Sequence, residues 1–317
     1  MSEKYRAARS FPVIIVHFVM IWTTGEALLD IIHAPDGFTT LSPGGAMLNT
    51  AVDLGRCHLP VGFIGGLGDD APGRMVRDFL NKSRVGSQHL RALPAWRTPV
   101  ALALLDSGGN ASYTFYRDPA GEYAPEYPVP GPGDLLLYGS YHALHDQVHH
   151  TLLSWLHSCR ERGVMLIYDP NFRRPHLHEL PRLKPRILDL IRCAHLLKAS
   201  DEDLQLVFRF SSGGEAWDNL CNIGPRALAY TRGARGASWY ASDWELRFPA
   251  PEVDVLSTIG AGDAFNAGLL AALAQVSNPT GVLLLEDFAK QALHQAQSLA
   301  SMVCQRWENH VPQLSLR

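Results

Sequence analysis

The chain has 317 residues, 46% apolar and 19% charged, with a formal net charge of −3. That length allows one large α/β domain or two modest ones, either with a sizeable core. No block of like charge gives the electrostatic footprint of a nucleic-acid binder, so an anionic ligand must be held by a local site rather than a global field.

The first apolar run, Phe11 to Trp22, is broken only by His17 and follows Lys4, Arg6 and Arg9. It imitates the start of a signal peptide, but no small-residue cleavage site follows and the run is too short to span a bilayer. Its Val/Ile/Phe content suits a buried parallel strand, Val13–Trp22, the first strand of a soluble cytoplasmic protein. Further short apolar runs lie at Val61–Leu67, Asp134–Tyr138, Val164–Tyr168, His195–Lys198 and Ala227–Thr231. Helix-favouring segments such as Pro72–Lys82, Gln147–Arg162 and Lys184–Arg192 lie between several of them. Strand alternating with helix predicts a mainly parallel sheet covered on both faces, with ligands beyond the carboxyl ends of the strands.

One region breaks that rhythm. Thr98–Leu105 and Ala111–Arg117 flank Asp106-Ser107-Gly108-Gly109-Asn110, two β-type runs around a Gly/Asn turn, which predicts a hairpin and hence a small extra sheet. Ala27–Thr40 can supply it with further strands, Pro125 to Gly133 reads as the return linker, and Glu286–Arg306 is helical by composition. Cys57, Cys159, Cys193, Cys221 and Cys304 form no C-x-x-C pair and read as small buried hydrophobes in a reducing compartment.

The richest stretch is Ser257-Thr258-Ile259-Gly260-Ala261-Gly262-Asp263-Ala264-Phe265-Asn266-Ala267-Gly268, followed by an apolar run rich in helix formers, Leu269 to Ala274. The glycines let backbone approach a ligand, and the helix start points free N–H groups at the same spot. Asp263 there is either an N-cap or an acid placed to take a proton during transfer, because a carboxylate beside phosphate is otherwise unfavourable. Gly44-Gly45 precede a helix carrying Asn49, whose amide could bond a hydroxyl. Asp30 is either a surface charge or an acceptor for sugar hydroxyls.

Together with Gly62-Phe63-Ile64-Gly65-Gly66-Leu67-Gly68-Asp69-Asp70, Asp169-Pro170-Asn171-Phe172-Arg173, Lys198-Ala199-Ser200-Asp201-Glu202-Asp203 and Thr231-Arg232-Gly233-Ala234-Arg235-Gly236, these motifs fall in the order of the ribokinase-like (PfkB) carbohydrate kinases. The chain resembles that family over nearly its whole length, and within it a fructokinase, through Gly25-Glu26-Ala27-Leu28-Leu29-Asp30 and Phe115-Tyr116-Arg117-Asp118-Pro119. The resemblance implies one α/β domain over 1–317: a three-layer Rossmann-like core with a β-sheet lid whose strands lie within 27–42 and 97–120. It implies transfer of the γ-phosphoryl of MgATP to a primary hydroxyl of a small monosaccharide, fructose first. Asp263 is then the base, the amides of Gly260, Ala261 and Gly262 the anion hole, and Arg173 a phosphate contact. Asp30, Gly44, Gly45, Asn49, Arg117, Asp169 and Asn171 face the sugar; Lys198, Ser200, Thr231, Gly233, Gly236 and Gln297 face the nucleotide. A homodimer through the lid sheets follows by the same analogy.

Three departures from the family pattern bear on ions and nucleotide. Ser257 stands where an Asp commonly helps to bind a monovalent cation, which puts potassium activation in doubt. Asp203 stands where a Glu is linked to magnesium through water, and Trp307-Glu308-Asn309 replaces a small Gly-Ala turn beside the base. Alternative acceptors are 2-keto-3-deoxygluconate, for which Arg117 serves equally, and a nucleoside; a non-catalytic sugar-binding member is the reading from another class. His142, His145, His149 and His150 cluster, and the spacing of His145 and His149 lets one helix face offer both to a metal, but a solvated loop and helix start is the expected reading.

Overall fold

A strand buried on both faces sends successive side chains into two different cores, and the central strands of this chain do so. The structure, a computed structural model, describes residues 19–94, 96–105, 111–116 and 125–313. Its strands and helices run, in chain order, β1 (Ile21–Thr24), β2 (Leu28–His33), β3 (Thr39–Gly44), α1 (Ala46–Arg56), β4 (Val61–Gly68), α2 (Ala71–Lys82), β5 (Gly86–Leu93), β6 (Val100–Leu105) and β7 (Ala111–Tyr116). There follow β8 (Leu135–Gly139), α3 (Asp146–Glu161), β9 (Met165–Asp169), α4 (Leu180–Cys193), β10 (Leu196–Ser200), α5 (Asp201–Phe208), α6 (Gly213–Leu220), β11 (Ala227–Thr231), β12 (Ala237–Ala241), β13 (Trp244–Phe248), α7 (Ala261–Leu273) and α8 (Glu286–Cys304).

The large sheet has the order β13-β12-β11-β10-β9-β8-β1-β4-β5, parallel from β11 to β5, with β12 and β13 antiparallel at one edge. Leu135, Leu137, Met165 and Ile167 join a core with α1, α2, α7 and α8, while Leu136, Tyr138, Leu166 and Tyr168 join one with α3, α4, α5 and α6. The result is three layers, helices on both faces of the sheet. The second sheet, β3-β2-β6-β7, pairs β2 with β6 in parallel and is antiparallel elsewhere.

The apolar run that opens the chain becomes a strand only from Ile21; Val19 and Met20 precede it without regular structure, and 1–18 lie outside the described residues. The turn 106–110 lies outside them too, although both flanking strands are present. Asp70 caps α2 through the Gly73 N–H at 2.8 Å and also accepts from the Thr98 N–H at 2.8 Å, fixing the start of the small sheet's hairpin to the large one. Helix α7 is buried all round from Asp263 to Leu273, and Gly268 lets it touch α8: a β-carbon at that position would lie 2.4 Å from the Ala296 Cα. No helix among the described residues is long and apolar enough to cross a membrane. Cys57, Cys159 and Cys193 are buried, but Cys221 and Cys304 are only half-buried; none is in a disulfide.

Candidate active site

The parallel strands end level. Thr24 pairs with Tyr138, Gly139 with Asp169 and Ser200 with Thr231, so Asp169, Ser200 and Thr231 emerge along one edge of the sheet. The amino end of α7 meets that edge, because the Asn266 amide donates to Asp169 Oδ2 at 2.7 Å. The same oxygen accepts from Lys198 Nζ at 2.9 Å, and Oδ1 accepts from the Asn171 N–H at 3.2 Å. Asp169 is fully enclosed, so its carboxylate reaches a ligand only through those partners. Lys198 is buried as well; burial pulls its pKa down, but the charges of Asp169 and Asp203 outweigh that and hold it above the usual lysine range. Its ammonium lies 3.7 Å from where a β-carbon on Gly262 would sit, against the turn that starts α7.

That turn is the Gly260-Ala261-Gly262-Asp263 motif. Gly260 caps α7 with φ +83°, a left-handed conformation suited to glycine. The first amides of an α-helix have no partner within the helix, and here the Ala261 N–H donates weakly outside it, to the Thr258 carbonyl at 3.3 Å. With Lys198 beneath, they make a positive cradle for an anion. Asp263 projects from the first turn, only 7% exposed. Burial pushes its carboxyl up to about 6, against the pull of the Asn49 hydrogen bond and of the Arg173 and Lys198 charges.

Helix α1 holds Asp263 from the side. Asn49 donates through Nδ2 to Asp263 Oδ2 at 2.8 Å, and the Thr50 hydroxyl donates to the Asp263 carbonyl at 3.1 Å. The Asn49 Oδ1 is buried without a hydrogen-bond partner, an acceptor open to a ligand hydroxyl. Gly45 enters α1 at φ +120°, against the Glu26 carbonyl. Gly44 leaves room for Asp30, whose Oδ2 would lie 2.0 Å from a β-carbon there. Burial, then the neighbouring charges of Asp263 and Glu26, push the Asp30 carboxyl up to about 7. Asp30, Asn49 and Asp263, from the small sheet, α1 and α7, are thus brought together.

Arg173 is exposed, though its charge reaches Asp263, and Asn171 takes φ +43° in the same loop. Asp203 has both oxygens engaged by the protein: Oδ1 accepts from the Phe172 N–H at 2.7 Å, and Oδ2 from the Ser200 N–H and hydroxyl at 2.9 and 2.6 Å. It completes a capping box with Ser200 and ties the Asn171–Arg173 loop to α5. Gly233 and Gly236 follow β11 with positive φ. Gln297 is buried on α8, donates to the Phe248 carbonyl at 3.2 Å and leaves its own oxygen unpartnered. The Ser257 hydroxyl accepts from the Ile259 N–H at 3.2 Å. Arg117 lies outside the described residues.

The histidine cluster corrects one expectation. His149 is buried rather than solvated, its Nδ1 3.1 Å from the Ala143 carbonyl, while His145 is exposed. Among the described residues no group of three or more His, Cys, Asp or Glu side chains can hold a metal ion. Asn266 and Thr50 were missed from sequence; both lie one turn of helix or less from a residue that was assigned.

The pattern of pfkB family carbohydrate kinases matches residues 21–310. The chain belongs to that family. It is a carbohydrate kinase of fructokinase-like sequence: it is 32% identical to a fructokinase of Rhizobium leguminosarum bv. trifolii over 80% of this chain and 79% of the relative. Among solved structures it superposes on aminoimidazole riboside kinase of Salmonella enterica, bound to aminoimidazole riboside and an ATP analogue, with a TM-score of 0.81 and 26% identity over 93% of this chain and 97% of the other. A fructokinase double mutant from Vibrio cholerae O395, holding fructose, ADP and potassium, shares the fold with a TM-score of 0.83 at 23% identity over 94% and 96% of the two chains.

Proposed function

We propose that this kinase transfers the γ-phosphoryl group of MgATP to a primary hydroxyl of fructose. The observation that carries the reading is Asp263: a carboxyl raised to about 6, held by Asn49 in the first turn of α7, beside the amides that start that helix. The family match and the Rhizobium fructokinase support the acceptor class.

In this reading Asp30 and the free Asn49 oxygen hold sugar hydroxyls and aim the primary one at Asp263. Asp263 takes the hydroxyl proton as the oxygen bonds to the γ-phosphorus and the bond to the β-phosphate oxygen breaks, releasing ADP. The amides of Gly260, Ala261 and Gly262, with Lys198 and Arg173, neutralise charge on the group in transit. Asp169 keeps Lys198 charged and in place. Ser200, Thr231, Gly233, Gly236 and Gln297 line the nucleotide side. The small sheet acts as the lid that excludes water, and its edge strands β3 and β7 pair in a homodimer.

The residues suit a magnesium ion that arrives on the nucleotide and meets the protein through water, since the Asp203 oxygens are already engaged. When bound it supplies charge neutralisation between the β- and γ-phosphates. They do not suit a potassium ion held by a carboxylate at position 257, where a neutral hydroxyl already accepts a backbone N–H.

A second acceptor, an aminoimidazole riboside, is favoured by the Salmonella structure at 26% identity. An ADP-release assay with MgATP over fructose, 2-keto-3-deoxygluconate, ribose, adenosine and aminoimidazole riboside decides between them. Turnover with fructose, abolished by Asp263→Asn with sugar binding retained, is the expected result. Efficient turnover of another acceptor in preference to fructose overturns the substrate; normal turnover by Asp263→Asn overturns the assigned base.

A further inference from the structure

The carboxyl end of α1 grips a single residue near the end of the described chain. Asp53 Oδ1 accepts from the Val311 N–H at 2.9 Å, and Arg56 Nη1 donates to the Val311 carbonyl at 2.9 Å. Arg56 also donates to Glu308 Oε1 at 2.8 Å, and the His310 ring stands 3.5 Å from the Asp53 carboxylate and packs on Phe79 of α2. Asp53, His310 and Val311 are essentially inaccessible to solvent. An acid this deep in a helix among apolar neighbours is disfavoured unless it has a specific partner.

The residue next to this grip reaches the phosphate cradle. A β-carbon on Gly260 would lie 2.3 Å from the Asn309 carbonyl oxygen, so that carbonyl is packed onto the backbone of the α7 cap. The loop before it is held from the same direction, as the Leu256 and Ser257 N–H groups donate to the Cys304 carbonyl at 2.8 and 3.2 Å. One turn earlier on α1, Asn49 and Thr50 hold Asp263 directly. Helix α1 therefore holds the start of α7 twice: once at Asp263, and once at Gly260 through residues 308–311.

We infer that Asp53 and Arg56 are positioning residues for phosphoryl transfer: by clamping both polar groups of Val311 they seat the 308–311 strap, and through Asn309 fix Gly260 and the amides that receive the transferred group. The inference rests on the kinase reading above. Neither residue touches a substrate in that reading. Released, the strap leaves Gly260 free to drift from its left-handed conformation, and the amides lose their common aim. A misplacement of about 1 Å at such a site is worth up to about a hundredfold in rate.

The test compares Asp53→Ala, Asp53→Asn and Arg56→Met with the parent protein, using MgATP and fructose, with hydrogen exchange followed at 259–264 and at β1. Expected for Asp53→Ala and Arg56→Met is a fall of about tenfold to a hundredfold in kcat with the fructose KM within about twofold. Exchange should quicken at 259–264 and stay unchanged in β1. Asp53→Asn, which keeps an acceptor for the Val311 N–H, should recover most of the rate. Unchanged kcat in folded Asp53→Ala, or a loss of rate without faster exchange at 259–264, overturns the inference. If Asp53→Ala fails to fold, Arg56→Met decides alone. A parent protein inactive on every acceptor refutes the kinase reading instead, and the exchange comparison still tells whether the strap fixes Gly260.

Discussion

Replacing Asp263 by Asn should remove activity and stabilise the protein, and the second effect depends on pH in a defined direction. The Asp263 carboxyl is raised from 3.8 to about 6. Folded protein holds that proton in a range where unfolded chain has released it. The penalty is absent below about pH 4, grows as pH rises, and is complete above about pH 6. At 1.36 kcal/mol per pK unit the full penalty is about 3 kcal/mol. The amide is neutral throughout and keeps an oxygen to accept from Asn49. Asp263→Asn should therefore melt roughly 4–8 °C above the parent protein at pH 7, and the gap should close as pH falls toward 4. The assay is a series of thermal melts of both proteins, free of ligand, between pH 4.5 and 7.5. A gap that does not change with pH, or a variant less stable at pH 7, refutes the account of Asp263 as a carboxyl strained by burial.

Because Asp30 and Asp263 are raised to about 7 and about 6, kcat/KM for the sugar should fall steeply as pH drops from 8 to 5; a flat profile would remove both carboxylates from the chemistry. Gly44→Ala puts a β-carbon 2.0 Å from Asp30 Oδ2, so sugar affinity measured by calorimetry should collapse while the protein stays folded. Lys198→Met leaves Asp169 buried without its cation and should cost about 3–5 kcal/mol in denaturant unfolding, far more than an exposed lysine would. Turnover should be the same in sodium and potassium salts, and marked activation by potassium would show that position 257 is not needed to hold the ion.

Much of the core was legible because its signals are local. Buried parallel strands such as Val61–Gly68 read as apolar runs, and the glycines before α7 announce a turn and a helix start wherever they occur. Edge strands β12 and β13 were missed: Ala237–Ala241 and Trp244–Phe248 are short and mixed, and their hairpin turns at Ser242, a non-glycine residue with positive φ. The Lys184–Arg192 helix was placed but cut short, since α4 begins at Leu180 and carries Pro185 within it. At the site, Asp263, Asn49, Asp30 and Lys198 were legible as motif residues. The roles of Asp203 and Asp53 were not. No local pattern tells that both Asp203 oxygens bond the protein, and Asp53 meets Val311 across 258 positions of sequence.

The burial of α7 has a consequence for ionic strength. A helix on the surface shares its terminal field with water and dissolved ions, which weaken it within a turn. Here every residue from Asp263 to Leu273 is buried, and Gly268 brings the α8 backbone directly against the helix. From Asp263 onward the field of this helix runs through protein that salt cannot enter, while Ala261 and the exposed Gly262 of its first turn are open to solvent. The attraction of its amino end for a phosphoryl group is thus screened by dissolved ions only at that first turn, and should weaken less with added salt than that of a helix bathed in water all round.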